Sequence, residues 1–435
     1  MRFAIYTLGC KVNQYETQAM ETILTQRGHT LTPFDGAADV YVINTCSVTA
    51  VSDKKCRNMI RRTRREHPEA VLDVCGCYAQ AKPEDIAALG VDLIAGTGDR
   101  LAFLDRLEQA GVRPDTPSVW VDDALKRHDF EVLPAGGLAG RTRAMLKVED
   151  GCGNFCTYCI IPFTRGPVRS ASIPAAAAQS KALAEAGYRE IVVTGIEISS
   201  WGQDLNGGAE SLIDLTEAVC RAAPGLRVRL GSLEPRTVTE AFCRRAAELD
   251  NLCPHFHLAL QSGSDATLKR MNRKYTAERF LESCRLLRQH FDRPAITTDL
   301  ICGFPGETEE EFAETLRTIR AADFAAMHIF PYSRRGGTVA DRMPDQLPNA
   351  VKEARCRAAA EIAREMETDY LTQFTGETLA VLFEEQVEGR WRGHAPNYAE
   401  VRLTPEESAE HALHNEIRQV RVTGLRGRAL EGVLV

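Results

Sequence analysis

At 435 residues the chain can hold two or three domains of ordinary size, and its 44% apolar share is enough to give them cores. A formal net charge of -7 excludes a polybasic binder, so any nucleic-acid surface has to be a local patch. There are fourteen cysteines, no hydrophobic leader block behind Met1 and no run near the ~20 apolar residues that a bilayer demands. The reading is a cytosolic, non-membrane protein whose clustered cysteines ligate metal rather than form disulfides.

Residues 1–115 alternate strand-like and helix-like segments. The strands are Arg2–Leu8, Asp39–Asn44, Val71–Val74 and Val91–Ile94. The helices are Asn13–Arg27, Val48–His67, Pro83–Leu89 and Arg100–Ala110. Such alternation predicts a parallel sheet wrapped by helices. Cys10, Cys46 and Cys77 follow the first three strands, and ligands of open parallel sheets bind beyond the strands' carboxyl ends. Three thiolates there suit a cubane iron–sulfur cluster with one open iron, and the alternative is three unrelated buried cysteines. Cys75 competes with Cys77 because both project to one face if the strand continues, but Cys77 lies further past its end. The helix after Cys46 carries Lys54, Lys55, Arg57, Arg61, Arg62, Arg64 and Arg65, either a solvated face or a phosphate contact.

Residues 116–139 are read as a linker with one short strand at Ser118–Val121, because Pro and Gly recur there without periodicity. The alternation then resumes over 140–370. Six strand segments (Met145–Glu149, Glu190–Thr194, Arg227–Leu230, Phe256–Leu260, Ile296–Ile301, Ala326–Phe330) with helices between them predict a partial (β/α)6 barrel. Behind its first strand stands Cys152, Cys156 and Cys159, spaced C-x3-C-x2-C. Three thiolates cannot close a tetrahedral zinc site, but they can hold three irons of a cubane and leave the fourth for a substrate. Tyr158 is placed to pack beside an adenine.

This spacing resembles the signature of the radical S-adenosylmethionine (SAM) superfamily. The resemblance implies that the open iron binds SAM, which an electron splits to leave a 5′-deoxyadenosyl radical. Polar residues recur at the carboxyl ends of the later strands: Glu197, Ser232, Glu234, Gln261 and Asp299. One such residue is an ordinary turn former, whereas five in register at one rim point to a SAM pocket. Arg165 and Arg169 are read as contacts to a SAM carboxylate or an RNA phosphate, which guanidinium forks suit, and the alternative is ordinary surface arginines. Cys56, Cys220, Cys243, Cys253, Cys284, Cys302 and Cys356 follow no ligand spacing.

Residues 371–435 shift to short β-rich segments separated by Gly, which predicts a small antiparallel barrel. Arg390, Trp391, Arg392, His394, Asn397 and Tyr398 are read as one loop suited to stacking on unpaired bases and binding phosphate, and the alternative is an ordinary β-domain with a solvated loop. The region resembles the TRAM RNA-binding module.

Leu8-Gly-Cys-Lys-Val-Asn-Gln-Tyr-Glu-Thr17, Asn44-Thr-Cys46 and Gly76-Cys-Tyr-Ala-Gln80 resemble the amino-terminal domain of the methylthiotransferases. The wording around Glu16-Thr17 is most similar to the branch acting on N6-threonylcarbamoyladenosine. His257–Gly263, Met271–Tyr275 and Asp299–Thr308 are similar to core motifs of that family. Glu197, Gly153 and Gly231 depart from its usual residues. The resemblance spans nearly the whole chain. It implies a second [4Fe-4S] cluster on Cys10, Cys46 and Cys77, transfer of a methylthio group to C2 of the base at tRNA position 37, contact with the anticodon loop, and an electron donor. It leaves the oligomeric state open. The same chemistry on isopentenyladenosine or on a ribosomal protein is the nearer alternative, and a non-catalytic metal-holding RNA-binding protein the more distant one.

Overall fold

The structure is a computed structural model and describes residues 1–109, 113, 116–136 and 142–435. The first sheet has strands β1 (Arg2–Thr7), β2 (Thr30–Leu31), β3 (Val40–Thr45), β4 (Val71–Gly76), β5 (Leu93–Ala95) and β6 (Ser118–Trp120), all parallel in the order β2-β1-β3-β4-β5-β6. Every residue of β3 and β4 is buried, as expected for strands covered on both faces by helices. The covering helices include α1 (Lys11–Gln26), α2 (Ala50–Glu66), α3 (Cys77–Ala81), α4 (Pro83–Ala87) and α5 (Arg100–Gln109).

The segment read as a linker is more than a connection. β6 adds to the sheet edge through Leu93↔Ser118, and the following chain crosses back to place Leu133 in the core, where its carbonyl accepts from Tyr15 Oη. Turn-rich composition signalled the path but not its docking. Residue 110, where the α5 expectation ended, and residues 137–139 of the linker reading lie outside the described residues.

The central region forms two parallel sheets that continue one another. One is β11-β10-β7, from β7 (Arg143–Lys147), β10 (Glu190–Thr194) and β11 (Arg227–Leu230); between β7 and β10 lies the small antiparallel pair β8 (Glu149–Asp150) and β9 (Arg169–Ser170). The other is β12 (Ser232–Leu233), β13 (His255–Leu258), β14 (Ala295–Cys302) and β15 (Ala326–Pro331), in that order. Only Gly231 separates β11 from β12, so six strand positions make an open barrel. Helix α1 packs along β7, with Met145 against the amino-terminal core, so the first domain covers that flank of the opening.

The last region is a closed five-stranded barrel, β16 (Thr378–Val387), β17 (Arg390–His394), β18 (Glu400–Leu403), β19 (Ile417–Arg426) and β20 (Ala429–Leu434). One pairing, β18 with β20, is parallel, so the barrel is not wholly antiparallel. It docks beneath the central barrel at the strands' amino ends. Arg227 donates to the carbonyls of Ala380 (2.6 Å) and His394 (3.2 Å), and Arg143 pairs with Glu384 at 2.7 Å. No described helix is long and apolar enough to cross a membrane.

Candidate active site

The first cysteine group forms where three parallel strands end together. Gly9, at φ +131°, turns the chain out of β1 so that Cys10 caps α1; a Cβ on Gly9 would lie 3.0 Å from that of Cys46. Gly76, at φ +100°, ends β4 and swings Cys77 into α3; a Cβ there would meet the Thr45 carbonyl at 2.4 Å. Asn13 ties the strand ends together, its amide donating to the Leu8 and Thr45 carbonyls at 2.9 Å each. As a result the thiols of Cys10, Cys46 and Cys77 lie within mutual electrostatic reach. Gly9, Cys10, Cys46, Ser52 and Lys55 line a cavity of about 360 Å³. Burial pushes the Cys46 thiol up to about 11 and raises Cys10 as well, despite the nearby Arg165. Ligation therefore has to displace protons.

The Gly76 turn sets Cys75 apart from Cys77. Cys75 stays in the sheet core beside Val42, Leu93 and Phe103, and its thiol is influenced by Arg100 and Glu16 rather than by Cys10 or Cys46. Cys56 is buried on α2 behind Cys46, and its thiol donates to the Cys46 carbonyl at 3.4 Å.

The second group is the Cys152–Cys159 loop, held against the Met271–Arg273 stretch. Thr157 N–H donates to the Met271 carbonyl (3.1 Å), and the Asn272 amide donates to the carbonyls of Asn154 (3.2 Å) and Phe155 (2.9 Å). Arg273 Nη1 donates to Cys156 Sγ at 3.2 Å, and its buried Nη2 has no partner among the described residues. Ile161 N–H donates to Cys159 Sγ at 3.4 Å, and burial pushes that thiol up to about 12. Tyr158 is half-buried against Phe304. The Glu197 amide donates to Glu149 at 2.7 Å; burial pushes the Glu197 carboxyl up to about 7 against the pull of Arg273. Glu234 is clamped by Nε and Nη2 of Arg236 at 2.7 Å each. Ser232 is exposed, Gln261 N–H donates to the Asp299 carbonyl at 2.9 Å, and Asp299 faces His257 at 3.3 Å.

The two groups meet through arginines. Helix α6 (Ile161–Arg165) starts two residues after Cys159, and its last residue reaches the amino-terminal domain. Arg165 Nε donates to Cys77 Sγ at 3.4 Å, Nη2 donates to Asn13 Oδ1 at 2.8 Å, and Nη1 pairs with Glu16. This corrects the assignment of Arg165 to SAM or RNA: its side chain is fully buried and saturated by protein groups. Arg169 is likewise buried, pairing with Asp150 at 3.4 Å and donating to the Arg165 and Pro167 carbonyls. Around Glu16 and Asp150 stand Arg100, Lys147, Arg165 and Arg169, four cations against two anions. That buried surplus beside Cys77 suits a negatively charged thiolate–cluster assembly.

Arg335 makes the second crossing. Its Nη2 donates to Ser47, next to Cys46, and lies 3.3 Å from Asp53, while its charge reaches Cys159. Its buried Nε and Nη1 have no partner among the described residues. Unpaired cationic donors buried beside both cysteine groups fit anionic clusters. Among the described residues no three His, Cys, Asp or Glu side chains sit close enough to hold one metal ion. The thiolates of a cubane bind separate iron corners, so its ligands stand farther apart than those of a single ion.

Asn13, Arg273 and Arg335 were missed in the sequence because their significance comes from contacts across 117 to 288 residues of chain. The expected base-stacking loop is also corrected. Residues 390–394 are strand β17, Trp391 is 8% exposed within the barrel core, and its Nε1 donates to the His411 carbonyl. Arg390 pairs with Glu431 (2.5 Å), Arg392 with Glu385, and His394 with Glu384 (2.7 Å). Alternating barrel-inside positions look like a mixed loop when the strand is short. On α2, Arg57, Arg62 and Arg64 are engaged by Tyr78, Glu66 and Asp92, leaving Lys54, Lys55 and Arg61 without a partner among the described residues.

An open parallel barrel with this three-cysteine loop behind its first strand defines a radical SAM protein, here carrying a second cysteine-bearing domain. The comparisons agree. Residues 2–96 match the uncharacterized protein family UPF0004, and residues 146–319 match the radical SAM superfamily. The chain is 40% identical to threonylcarbamoyladenosine tRNA methylthiotransferase MtaB of Bacillus subtilis, over 92% of this chain and 89% of that protein. It is 35% identical to the Aquifex aeolicus protein of the same name (89% and 93% covered) and 35% identical to tRNA-2-methylthio-N(6)-dimethylallyladenosine synthase of Staphylococcus haemolyticus (88% and 75% covered). Its fold is similar to that of the radical SAM methyltransferase TsrM from Kitasatospora setae, with a TM-score of 0.55 at 16% identity, covering 78% of this chain and 76% of that one. The chain belongs to the tRNA methylthiotransferases of the radical SAM superfamily, in the threonylcarbamoyladenosine branch.

Proposed function

We propose that the protein adds a methylthio group to C2 of N6-threonylcarbamoyladenosine at position 37 of tRNA, working in the cytoplasm with two [4Fe-4S] clusters. The observation that carries this reading is the meeting of the two cysteine groups across one interface, where Arg165 touches Cys77 from a helix that starts two residues after Cys159. The aromatic C2–H offers neither an acidic proton nor a leaving group, so the chemistry has to be radical.

Cys152, Cys156 and Cys159 would hold the SAM-binding cluster, and Cys10, Cys46 and Cys77 an auxiliary one. When bound, the first supplies the electron that cleaves SAM and the second carries the sulfur. The chain's own residues do the positioning. Arg273 fixes Cys156 and presents a free donor at the same place. Glu197, Glu234 and Arg273 are electrostatic neighbours around the mouth, suited to a zwitterionic amino acid moiety, and Tyr158 offers a ring for the adenine. Arg165 and Arg335 hold the two domains together and add positive charge between the clusters. Lys54, Lys55 and Arg61 form the local basic patch for the anticodon loop, and the carboxyl-terminal barrel adds RNA affinity. Reduction requires an electron donor.

Nucleoside analysis of tRNA from a deletion strain tests the reading. Loss of 2-methylthio-N6-threonylcarbamoyladenosine supports it, and an unchanged level refutes it. Loss of the isopentenyl derivative instead selects the other tRNA branch.

A further inference from the structure

Lys11 follows Cys10 directly and is the first residue of α1. Its ammonium lies within electrostatic reach of Cys10, of Asp299 at the barrel rim, and of Arg143 and Arg229 in the barrel. Because α1 packs along β7 and Lys11 is its first residue, Lys11 stands between the auxiliary cysteine group and the barrel.

Its neighbours already have partners. Arg229 is forked onto Glu190 at 2.8 and 3.0 Å, Arg143 pairs with Glu384 at 2.7 Å, and Asp299 faces His257. Below them His255 is buried with Nδ1 unpartnered among the described residues, and burial with the surrounding cations, Arg229 first among them, pushes its pKa well down. Lys11 alone has neither a hydrogen bond nor an ion pair among the described residues. It remains solvent-accessible, so a ligand entering the mouth can reach it.

An exposed ammonium with no ion-pair partner among the described residues suits an anion. The proposed substrate differs from its isopentenyl counterpart by one: the carboxylate of the threonyl group. We infer that Lys11 binds the threonyl carboxylate of the substrate base and so sets the choice of modified adenosine. This rests on the function proposed above. A charge-assisted contact of this kind strengthens binding by about tenfold to a hundredfold.

The experiment measures binding of the full-length, cluster-reconstituted protein to three anticodon stem-loops that differ only at position 37: threonylcarbamoyladenosine, its methyl ester, and plain adenosine. SAM affinity is measured in parallel. Wild type should prefer the carboxylate-bearing loop by about tenfold to a hundredfold. Lys11→Met should bind that loop no better than the ester, with binding of the ester and plain loops and of SAM unchanged, and Lys11→Arg should keep the preference. Equal weakening toward all three loops would mean a phosphate contact, and weakened SAM binding a contact with the SAM carboxylate; either overturns the inference. So does a Lys11→Met variant with its preference intact. If wild type shows no preference for the modified loop, the functional reading itself fails.

Discussion

Glu16→Gln probes the electrostatic joint between the domains. The substitution keeps side-chain volume and one acceptor oxygen, so no cavity forms. It removes the charge that Arg100 meets at 2.9 Å, Lys147 at 3.4 Å and Arg165 at 3.3 Å through its second nitrogen. At an effective dielectric near 20, a contact of that length is worth about 5 kcal/mol before desolvation. Desolvation of Glu16 offsets much of the sum, but the variant leaves three buried cations facing an amide. Breaking one member of such a network costs ~3–5 kcal/mol. Burial alone would raise the Glu16 carboxyl, yet Arg165, Arg100 and Lys147 outweigh it and hold the group well below the carboxylate range. Its stabilisation is therefore fully present above the unfolded value of about 4.3 and lost as pH falls toward the depressed folded value. Urea unfolding should show a midpoint loss at pH 7 that shrinks steadily below pH ~4.5. A difference under ~1 kcal/mol at pH 7, or one that grows on acidification, would refute the reasoning.

Further outcomes follow from other contacts. Trp391→Ala should destabilise the carboxyl-terminal barrel by ~3–5 kcal/mol, seen as faster proteolysis of residues 378–434 without RNA present. Loss of RNA affinity from an intact barrel would instead restore the stacking role. Tyr398 lies 4.7 Å from Arg229 and 5.1 Å from Arg143, so Tyr398→Ala should loosen barrel docking by ~1–3 kcal/mol, read as increased hydrogen exchange at β18. Asp73 is fully buried with neither carboxyl oxygen partnered among the described residues, and burial with the Asp92 charge raises it well above the usual range. A raised acid loses stability as pH rises, so Asp73→Asn should stabilise the protein by ~1–3 kcal/mol at pH 8 and by little at pH 4. Equal effects at both pH values would exclude the titration.

Much of the fold was legible because parallel strands buried on both faces carry continuous apolar runs, and their turn residues mark where the runs end. That also made the two cysteine groups legible, since Cys10, Cys46 and Cys77 each follow such a run. What hid was whatever depends on packing between distant segments. Arg165 stands where a ligand-binding arginine is expected, and only the fold shows Glu16 and Asn13 already occupying it. Trp391 alternates with charged neighbours, a pattern shared by an exposed aromatic loop and a short barrel strand. β6 is three residues long and adds to its sheet only once β5 is in place.

Iron content tests the central claim most directly. Anaerobic reconstitution should load about eight irons per chain, falling to about four when Cys10, Cys46 and Cys77 are replaced together and to about four when Cys152, Cys156 and Cys159 are. SAM cleavage should survive the first replacement and not the second. About four irons in wild type, with no loss on replacing Cys10, Cys46 and Cys77, would contradict a two-cluster enzyme.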